Sequence, residues 1–203
     1  MSDAEVVLDA VGHRFAGSNG LFSGLSVRLE PGAVYGLVGP SGSGKSTLLG
    51  ILAGWVTPTE GQVLRRGIRR IGWVFQNPYG VANRTALDHV ALPFLANGLS
   101  RAEAETRALR KLEAFDLGDI ANSRFRDLSG GEAQRLMLAR GIAAAPDLFL
   151  VDEPTAQLDL RTAATVNASL QAMRREQTIV VVATHDERTR QQCTDVIDLG
   201  SFQ

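Results

Sequence analysis

Hydrophobic and polar residues alternate in the first part of the chain. Leu25, Val27 and Leu29 are each followed by a polar residue, a period of two that is typical of a strand with one buried face. The dipeptide Pro31-Gly32 comes next and favours a turn. A shorter apolar run, Val6–Leu8, predicts an earlier strand. The region before residue 33 is therefore expected to contain β-structure.

Three later segments are apolar without interruption: Val34–Val38, Leu148–Val151 and Ile179–Ala183. The last two are expected to be buried strands, as in the middle of a parallel sheet, and the first is expected to be a short strand. A last short strand is predicted at Val196–Leu199. Because these strands alternate with segments of helical pattern, we expect an α/β fold.

Residues 62–74 read as short strands interrupted by two arginine pairs, Arg65-Arg66 and Arg69-Arg70. The arginines fit either a nucleic-acid patch or a solvated hairpin, and the hairpin is the favoured interpretation. The apolar strand that follows leads into Gln76-Asn77-Pro78, where the proline ends the regular structure. Gln76 is therefore expected to project from a strand end, toward any bound phosphates.

The pattern is helical from Leu87 to Phe125. Ser100–Glu103 has the sequence of a capping box, which predicts a helix start. Leu109, Leu112 and Phe115 are expected on one face of that helix, with charged residues opposite. This segment is interpreted as an inserted helical lobe.

The composition is that of an ordinary globular protein, with 203 residues of which 44% are hydrophobic and 21% charged. This length fits one domain. The 21 basic and 22 acidic residues give a net charge of −1, so no overall positive field attracts nucleic acid. The longest apolar runs are far shorter than the roughly 20 residues that cross a bilayer.

The N-terminus and the cysteine content favour a reducing cytosol. Met1–Glu5 is acidic and lacks the basic and apolar regions of a signal peptide. The single cysteine, Cys193, has no partner for a disulfide within the chain. Cys193 is interpreted as a packing residue, and His89 as an ordinary surface or packing residue.

A glycine-rich loop follows the strand Val34–Val38 and precedes the apolar helical pattern Leu48–Ala53. The loop comprises nine residues: Gly39, Pro40, Ser41, Gly42, Ser43, Gly44, Lys45, Ser46 and Thr47. Its glycines let consecutive backbone N–H groups point inward, and the dipole of the following helix is aimed at the same point. The loop is therefore predicted to hold a polyphosphate.

Two side chains of this loop have predicted contacts. In this spacing Lys45 reaches the β- and γ-phosphates, and the Ser46 hydroxyl is a ligand for Mg²⁺. A dinucleotide-binding loop fits less well, because Thr47 stands where that motif requires its third glycine. A simple turn with a solvated lysine is the other alternative, and the strand before the loop and the helix after it argue against that.

A serine and two glycines stand before a second helical pattern. Ser129, Gly130 and Gly131 precede a helix that is predicted from about Ala133 to Ala145. Backbone donors and the dipole at such a helix start favour an anion. A purely structural cap is the alternative for this segment taken alone. Together with the first loop, the chain has two half-sites for phosphate.

Candidate catalytic side chains follow two of the buried strands. Asp152 and Glu153 are adjacent, and successive strand residues point to opposite sides, so the two carboxylates have separate predicted jobs. Asp152 suits Mg²⁺ and Glu153 an attacking water, with a charged turn as the alternative. His185 is placed for a γ-phosphate or for a structural hydrogen bond. Phe15, in a loop predicted to include Gly12, either stacks on an adenine or packs in the core.

In this order, the motifs resemble those of the ATP-binding-cassette (ABC) family of ATPases across nearly the whole chain. Six segments carry the resemblance: Gly39–Thr47 is similar to the Walker A loop, Gln76 to the Q-loop, Leu128–Glu132 to the signature, Leu148–Glu153 to the Walker B strand, Ala156–Asp159 to the D-loop and His185 to the switch histidine. Six elements in order are far more specific than any one of them, and the signature belongs to this family.

The resemblance implies a single nucleotide-binding domain of the P-loop NTPase type over residues 1–203. Its ABC ATPase fold would have a mixed sheet core, an N-terminal antiparallel β-subdomain and an inserted α-helical subdomain. The ATPase core is expected in residues 1–78 and 127–203, and the helical subdomain in residues 79–126.

The resemblance also implies a head-to-tail dimer, with ATP and Mg²⁺ between the Walker A loop of one subunit and the signature of the other. The second ATPase subunit is either an identical copy or a different chain, and the identical copy is the favoured interpretation. The expected catalytic residues are Glu153 as base, His185 and Lys45. Beside the Walker A loop, the expected nucleotide-binding residues are Phe15, Gln76, Ser129, Gly130, Gly131, Glu132 and Asp159. The expected metal ligands are Ser46, Gln76 and Asp152.

The implied partners are integral membrane permease subunits, and the implied location is the cytoplasmic face of the plasma membrane, with no nucleic acid bound. The signature ends in Glu132, where many members of the family have glutamine. This ending is similar to that of the lipoprotein-release, macrolide-efflux and cell-division cassettes, as are the segments Ala91–Phe94 and Asp152–Thr155. That subgroup drives export of peptides, lipids or drugs. Only 31 positions separate Lys45 from Gln76, fewer than is usual there.

Two other functions fit parts of the pattern. A cassette of this kind can regulate a membrane-bound cell-wall or cell-division complex without transport. A soluble cassette that acts on DNA or ribosomes is the third alternative, and the near-neutral charge and the single cassette argue against it.

Overall fold

A computed structural model describes residues 4–17, 20–156 and 158–203. Residues 1–3 of the N-terminus that is predicted to be acidic lie outside the described residues, as does Gln157 of the predicted Ala156–Asp159 segment. No helix in the described part of the chain is long and apolar enough to span a membrane.

The N-terminal strands form a three-stranded antiparallel sheet. Strands β1 (Glu5–Arg14), β2 (Gly20–Leu29) and β4 (Glu60–Arg66) lie in the order β2-β1-β4. The alternation predicted for β2 is confirmed, because Leu25 and Leu29 are buried while the residues between them are exposed or half-buried. The sequence predicts Gly12 in a loop, and this prediction is wrong. Gly12 lies within β1, because the strand extends beyond its apolar run.

The second sheet has five strands, and every neighbouring pair is parallel. Strands β3 (Val34–Val38), β5 (Ile71–Val74), β6 (Leu148–Asp152), β7 (Ile179–Ala183) and β8 (Asp195–Asp198) lie in the order β5-β6-β7-β3-β8. The buried strands predicted at β6 and β7 are confirmed, and the short strand predicted at β3 is also largely buried. Because parallel strands end on one edge, the loops after β3, β5, β6 and β7 meet there.

The predicted hairpin between residues 62 and 74 is wrong. Strand β4 pairs with β1, whereas β5 pairs with β6 in the other sheet. A break at Gly67 separates the two strands and sends each to a different partner, which alternation alone does not reveal. Arg65 and Arg66 consequently lie inside β4 and not in a turn.

Within the described residues, six α-helices connect the strands: α1 (Lys45–Ala53), α2 (Ala86–Ala96), α3 (Arg101–Ala114), α4 (Gly130–Ala143), α5 (Leu160–Ala172) and α6 (Glu187–Gln191). The core has two parts on opposite faces of the five-stranded sheet. Along β6, Leu148 and Leu150 pack with α1 and the N-terminal sheet, whereas Phe149 and Val151 pack with α4 and α5. The sheet therefore forms the middle layer, as expected for strands buried on both faces.

Helices α2 and α3 lie between β5 and α4, in the segment that is predicted to be a helical lobe. The capping box at Ser100 is confirmed. The expected apolar face is shifted, because Ala104, Ala108 and Leu112 form the buried stripe at intervals of four residues while Leu109 is 39% exposed. His89 is buried, with Nε2 accepting a hydrogen bond from Val81 N at 2.9 Å and Nδ1 donating to Thr85 O at 2.7 Å.

Candidate active site

The glycine-rich loop joins β3 to α1 at the edge of the parallel sheet. Its backbone requires glycine at two points at least. Gly39 has φ of 142°, and a Cβ there would lie 2.8 Å from the Ser43 hydroxyl. Gly44 caps α1 with φ of 95°, and a Cβ there would lie 3.0 Å from the Phe22 ring. The loop therefore curls tightly over the start of α1 and leaves first-turn N–H groups available to an anion.

Lys45 is the first residue of α1, and its side chain folds back over the loop. Its Nζ donates to the Gly39 carbonyl at 2.8 Å and to the Pro40 carbonyl at 3.1 Å. The ammonium group is thereby held beside the space that the loop encloses. In this position it can meet the outer phosphates of a bound nucleotide.

An open cavity of about 570 Å³ lies above the loop. Its lining contains most of the predicted site and one residue that the sequence did not suggest, Leu21 of β2. The lining residues are Phe15, Leu21, Gly39, Ser41, Gly42, Gly44, Lys45, Ser46, Thr47, Gln76, Asp152, Glu153 and His185. Pro40 and Ser43 belong to the loop but are not among them, and Ser43 is fully buried. The loops after β3, β5, β6 and β7 all contribute to this lining.

Phe15 stands at one side of this cavity, just after β1. Its side chain is 53% exposed, and its ring meets the buried ring of His13 edge to face, with centroids 4.9 Å apart. The packing alternative for Phe15 fits this exposure poorly. An exposed aromatic face beside a phosphate loop is suited to stacking on a base.

Asp152, the last residue of β6, is joined to the phosphate loop. The Ser46 hydroxyl donates to Asp152 Oδ2 at 2.7 Å. Burial raises the pKa of Asp152, and the Glu153 charge adds to this, whereas the Ser46 hydrogen bond and the Lys45 charge lower it. A buried carboxylate and a hydroxyl in contact are hard oxygen donors of the kind that Mg²⁺ takes.

These donors would form part of a metal site and not a closed one. In residues 4–17, 20–156 and 158–203, no group of three or more His, Cys, Asp or Glu side chains is arranged to hold a metal ion. Mg²⁺ commonly completes its shell with water and substrate phosphates, so Ser46 and Asp152 fit a nucleotide-bound Mg²⁺.

Glu153 and His185 form the other polar pair of the cavity. His185 Nδ1 lies 2.8 Å from Glu153 Oε1, and the His185 backbone N–H donates to Oε2 at 3.4 Å. Glu153 is nearly buried, with a left-handed backbone of φ 49°, whereas His185 is largely exposed. This backbone turns the Glu153 carboxylate into the same cavity as Asp152. The pair places a carboxylate and an imidazole near the outer end of a phosphate chain.

Comparison with known proteins identifies the family. The family model described as ABC transporter matches residues 22–156. The chain belongs to the ABC transporter family. The predicted ABC ATPase fold, ATP binding and ATPase activity are thereby confirmed.

Relatives in sequence and structure agree with this assignment. The lipoprotein-releasing system ATP-binding protein LolD of Xylella fastidiosa is 39% identical over 191 residues, 86% of this chain and 79% of its own length. LolD of Koribacter versatilis is 37% identical over 197 residues, 89% of this chain and 88% of its own. A dimeric structure of the ATP-binding cassette MJ0796, in a post-hydrolysis state with ADP and Pi, has a TM-score of 0.84 at 30% identity. The match covers 96% of this chain and 95% of that one.

The remaining predicted residues of the cassette lie elsewhere. Ser129 caps α4 and Asp159 caps α5, accepting from the Arg161 and Thr162 N–H groups at 3.0 and 3.1 Å. The described lining of the cavity includes neither residue, nor Gly130, Gly131 or Glu132. Helix α4 begins at Gly130 and not near Ala133, because Ser129 and Glu132 satisfy donors of its first turn. Roles for these residues in nucleotide binding require a second chain and stay predictions.

One supporting residue of the cassette was missed by sequence reasoning. Arg65, interpreted as solvated, is half-buried and reaches from β4 to the end of α1. Its Nε donates to the Leu52 carbonyl at 2.9 Å, and a second guanidinium N–H donates to the Ile51 carbonyl. The Ile51 carbonyl also accepts from the Gly54 N–H at 3.0 Å, so Arg65 adds donors to the last carbonyls of the phosphate-binding helix and caps its far end. Nothing in the spacing of the arginines indicated this contact.

Proposed function

We propose that the chain is the ATPase subunit of an exporter, working as a head-to-tail homodimer with ATP and Mg²⁺ between the subunits. One observation carries the proposal. The cavity gathers Lys45, Ser46, Asp152, Glu153 and His185, whereas the Ser129 corner lies outside it. Such a cavity holds the nucleotide from one side, and a second subunit supplies the donors on the other. The dimeric arrangement of MJ0796 supports the same assembly.

The proposed hydrolysis step uses residues of this cavity. Glu153 accepts a proton from water as the water oxygen bonds to the γ-phosphorus, and the bond from that phosphorus to the ADP oxygen breaks. Lys45 and the backbone N–H groups of the loop stabilise the charge on the phosphate oxygens. His185 holds the transferring phosphoryl group, and its contact with Glu153 keeps the two side chains at one end of the cavity.

Ser46, Asp152 and Gln76 are the proposed Mg²⁺ site. The Ser46 hydroxyl and Asp152 carboxylate are already in contact, and Gln76 lines the same cavity. Bound Mg²⁺ would neutralise part of the phosphate charge. The raised pKa of Asp152 fits a carboxylate that gains a cation on nucleotide binding, because the cation offsets the cost of its burial.

The proposed partners are integral membrane permease subunits, which would hold this chain at the cytoplasmic face of the plasma membrane. The proposed cargo is a peptide, lipid or drug. The lipoprotein-releasing relatives favour a lipid-bearing cargo within that range. Residues 79–126 are proposed as a helical subdomain set into an ATPase core of residues 1–78 and 127–203. Because Gln76 lies in the cavity and directly precedes this lobe, it is the proposed link between nucleotide and permease.

The test reconstitutes the protein in vesicles with the permease encoded beside its gene, and compares wild type with Glu153→Gln. The wild type is expected to hydrolyse ATP and release a labelled lipoprotein. The variant should bind ATP normally but turn over about 10²- to 10⁴-fold more slowly, the usual effect of losing a general base. Near wild-type turnover would contradict the role of Glu153. ATP hydrolysis without any release of lipoprotein, peptide or drug would favour the regulatory function.

A further inference from the structure

Three consecutive helices of the chain begin with the same hydrogen-bonded cap. Thr85 with Asp88, Ser100 with Glu103 and Ser129 with Glu132 each form a complete capping box. The second and third boxes match closely. In both, the serine hydroxyl donates to the glutamate carboxylate at 2.6 Å and accepts from the glutamate N–H at 3.4 Å. The box at Ser129 lies at the proposed nucleotide-facing corner.

In the capping box at Ser129, both hydrogen-bond donors of Ser129 are already used within the chain. The Ser129 hydroxyl and backbone N–H both donate to Glu132 Oε2, at 2.6 and 2.8 Å. These hydrogen bonds lower the pKa of Glu132, with a smaller contribution from Arg135, so the carboxylate is ionised at neutral pH. A phosphate approaching α4 therefore meets the N–H groups of Gly130 and Gly131 as donors, beside a fixed negative charge.

We propose that Glu132 is a positioning residue that holds the Ser129 hydroxyl in the cap and opposes closure of the ATP-bound dimer by its negative charge. The inference rests on the proposed head-to-tail dimer. A phosphate oxygen from the partner subunit gains the Ser129 hydroxyl only when that group turns away from Glu132. Since the phosphate and the carboxylate carry like charges, each closure works against their repulsion.

The test uses Glu132→Gln in a Glu153→Gln background, which retains ATP. An amide oxygen still accepts both hydrogen bonds, so the variant removes the charge and keeps the cap. We expect the ATP concentration for half-maximal dimer formation, measured by analytical ultracentrifugation with Mg²⁺, to fall about two- to fivefold, as for one partly exposed charge. The advantage should shrink when salt is raised from about 0.05 M to about 0.5 M, because salt screens the repulsion.

The matched control is Glu103→Gln in the same background. It makes the same chemical change in the matching capping box of α3, away from the proposed interface corner at Ser129. Dimer formation should therefore be unchanged. Its effect on thermal stability should be as small as that of Glu132→Gln. ATP affinity measured below the dimerising protein concentration should be equal in all variants. Equal dimer formation by the two variants would overturn the inference. If Glu153→Gln alone stays monomeric with ATP, the proposed dimer fails and the inference fails with it.

Discussion

Two adjacent acidic side chains, Asp152 at the end of β6 and Glu153 directly after it, are held by different groups. Asp152 accepts from the Ser46 hydroxyl of the phosphate loop, whereas Glu153 contacts His185 beyond the neighbouring strand β7. Both line one cavity, although strand alternation alone would send them to opposite sides. The reason is that β6 ends at Asp152, and the left-handed backbone of Glu153 redirects its side chain. Their separate contacts support the two separate roles.

Residue identities at the site were largely predictable, because each motif has its own backbone requirement. The glycines at 39 and 44 adopt φ values that suit glycine, and Lys45 follows them as the motif requires. Leu21 and Arg65 were not predictable. Each reaches its site through tertiary packing of the N-terminal sheet, and neither belongs to a local pattern.

Cys193 provides a test at the residue scale. Its thiol donates to the Thr189 carbonyl at 3.3 Å, and burial raises its pKa to about 11. At pH 8 the folded chain should therefore react with a thiol reagent roughly 100-fold or more slowly than the denatured chain, since the thiolate is the reactive form. Absorbance on reaction with a coloured disulfide reagent measures both rates.

The raised pKa of Cys193 also makes the stability of the folded chain depend on pH. The unfolded thiol ionises near 9.0 and the folded one near 11, so stability from this group is complete below about pH 9 and is lost as pH rises to about 11. Chemical denaturation should show a larger loss over this pH range in the wild type than in Cys193→Ala, in which the buried Tyr35, whose pKa is also raised by burial, still contributes. Equal labelling rates for the folded and denatured chains would contradict the packing role.

At the scale of elements, the positions of the strands are predicted better than the pairing between them. The bounds of β3 and β7 match their apolar runs, because burial on both faces leaves a continuous signal in the sequence. The prediction of a hairpin at residues 62–74 is wrong, because nothing in the sequences of β4 and β5 indicates which strand each one pairs with. The start of α4 was placed three residues late, because its first turn is made of two glycines that the capping box stabilises.

Arg65 provides a test at this scale. Arg65→Met keeps the alkyl chain but removes the hydrogen bonds to the Ile51 and Leu52 carbonyls at the end of α1. We expect the free energy of unfolding to fall by about 1–2 kcal/mol, as for charged hydrogen bonds that are partly shielded from water. Denaturant unfolding followed by circular dichroism measures the change.

The neighbouring Arg66→Met is the matched control. Arg66 lies in the same strand and pairs with Glu5 at 2.7 Å on the surface. Such a pair contributes little, so this variant should change stability by no more than about 0.5 kcal/mol. Similar losses in the two variants would contradict a special role for the contact between β4 and α1.

For the whole molecule, the described cavity contains only one side of the proposed nucleotide site. The phosphate loop, Asp152, Glu153 and His185 meet at one edge of the parallel sheet and line the same cavity. A single chain is enough to form this side of the site. The Ser129 corner caps a separate helix. The sequence indicated two half-sites, but their assembly depends on contacts between two chains. It therefore stays a prediction.

Subunit mixing tests that assembly most directly. Glu153→Gln and Ser129→Ala are each expected to be nearly inactive alone. In a head-to-tail dimer containing one of each, one site combines an intact Glu153 with an intact Ser129 from the other subunit. A 1:1 mixture should then recover about a quarter of the wild-type ATPase rate, because random pairing makes half of the dimers mixed and each has one intact site of two. Phosphate release that stays at the level of the separate variants would contradict the shared site.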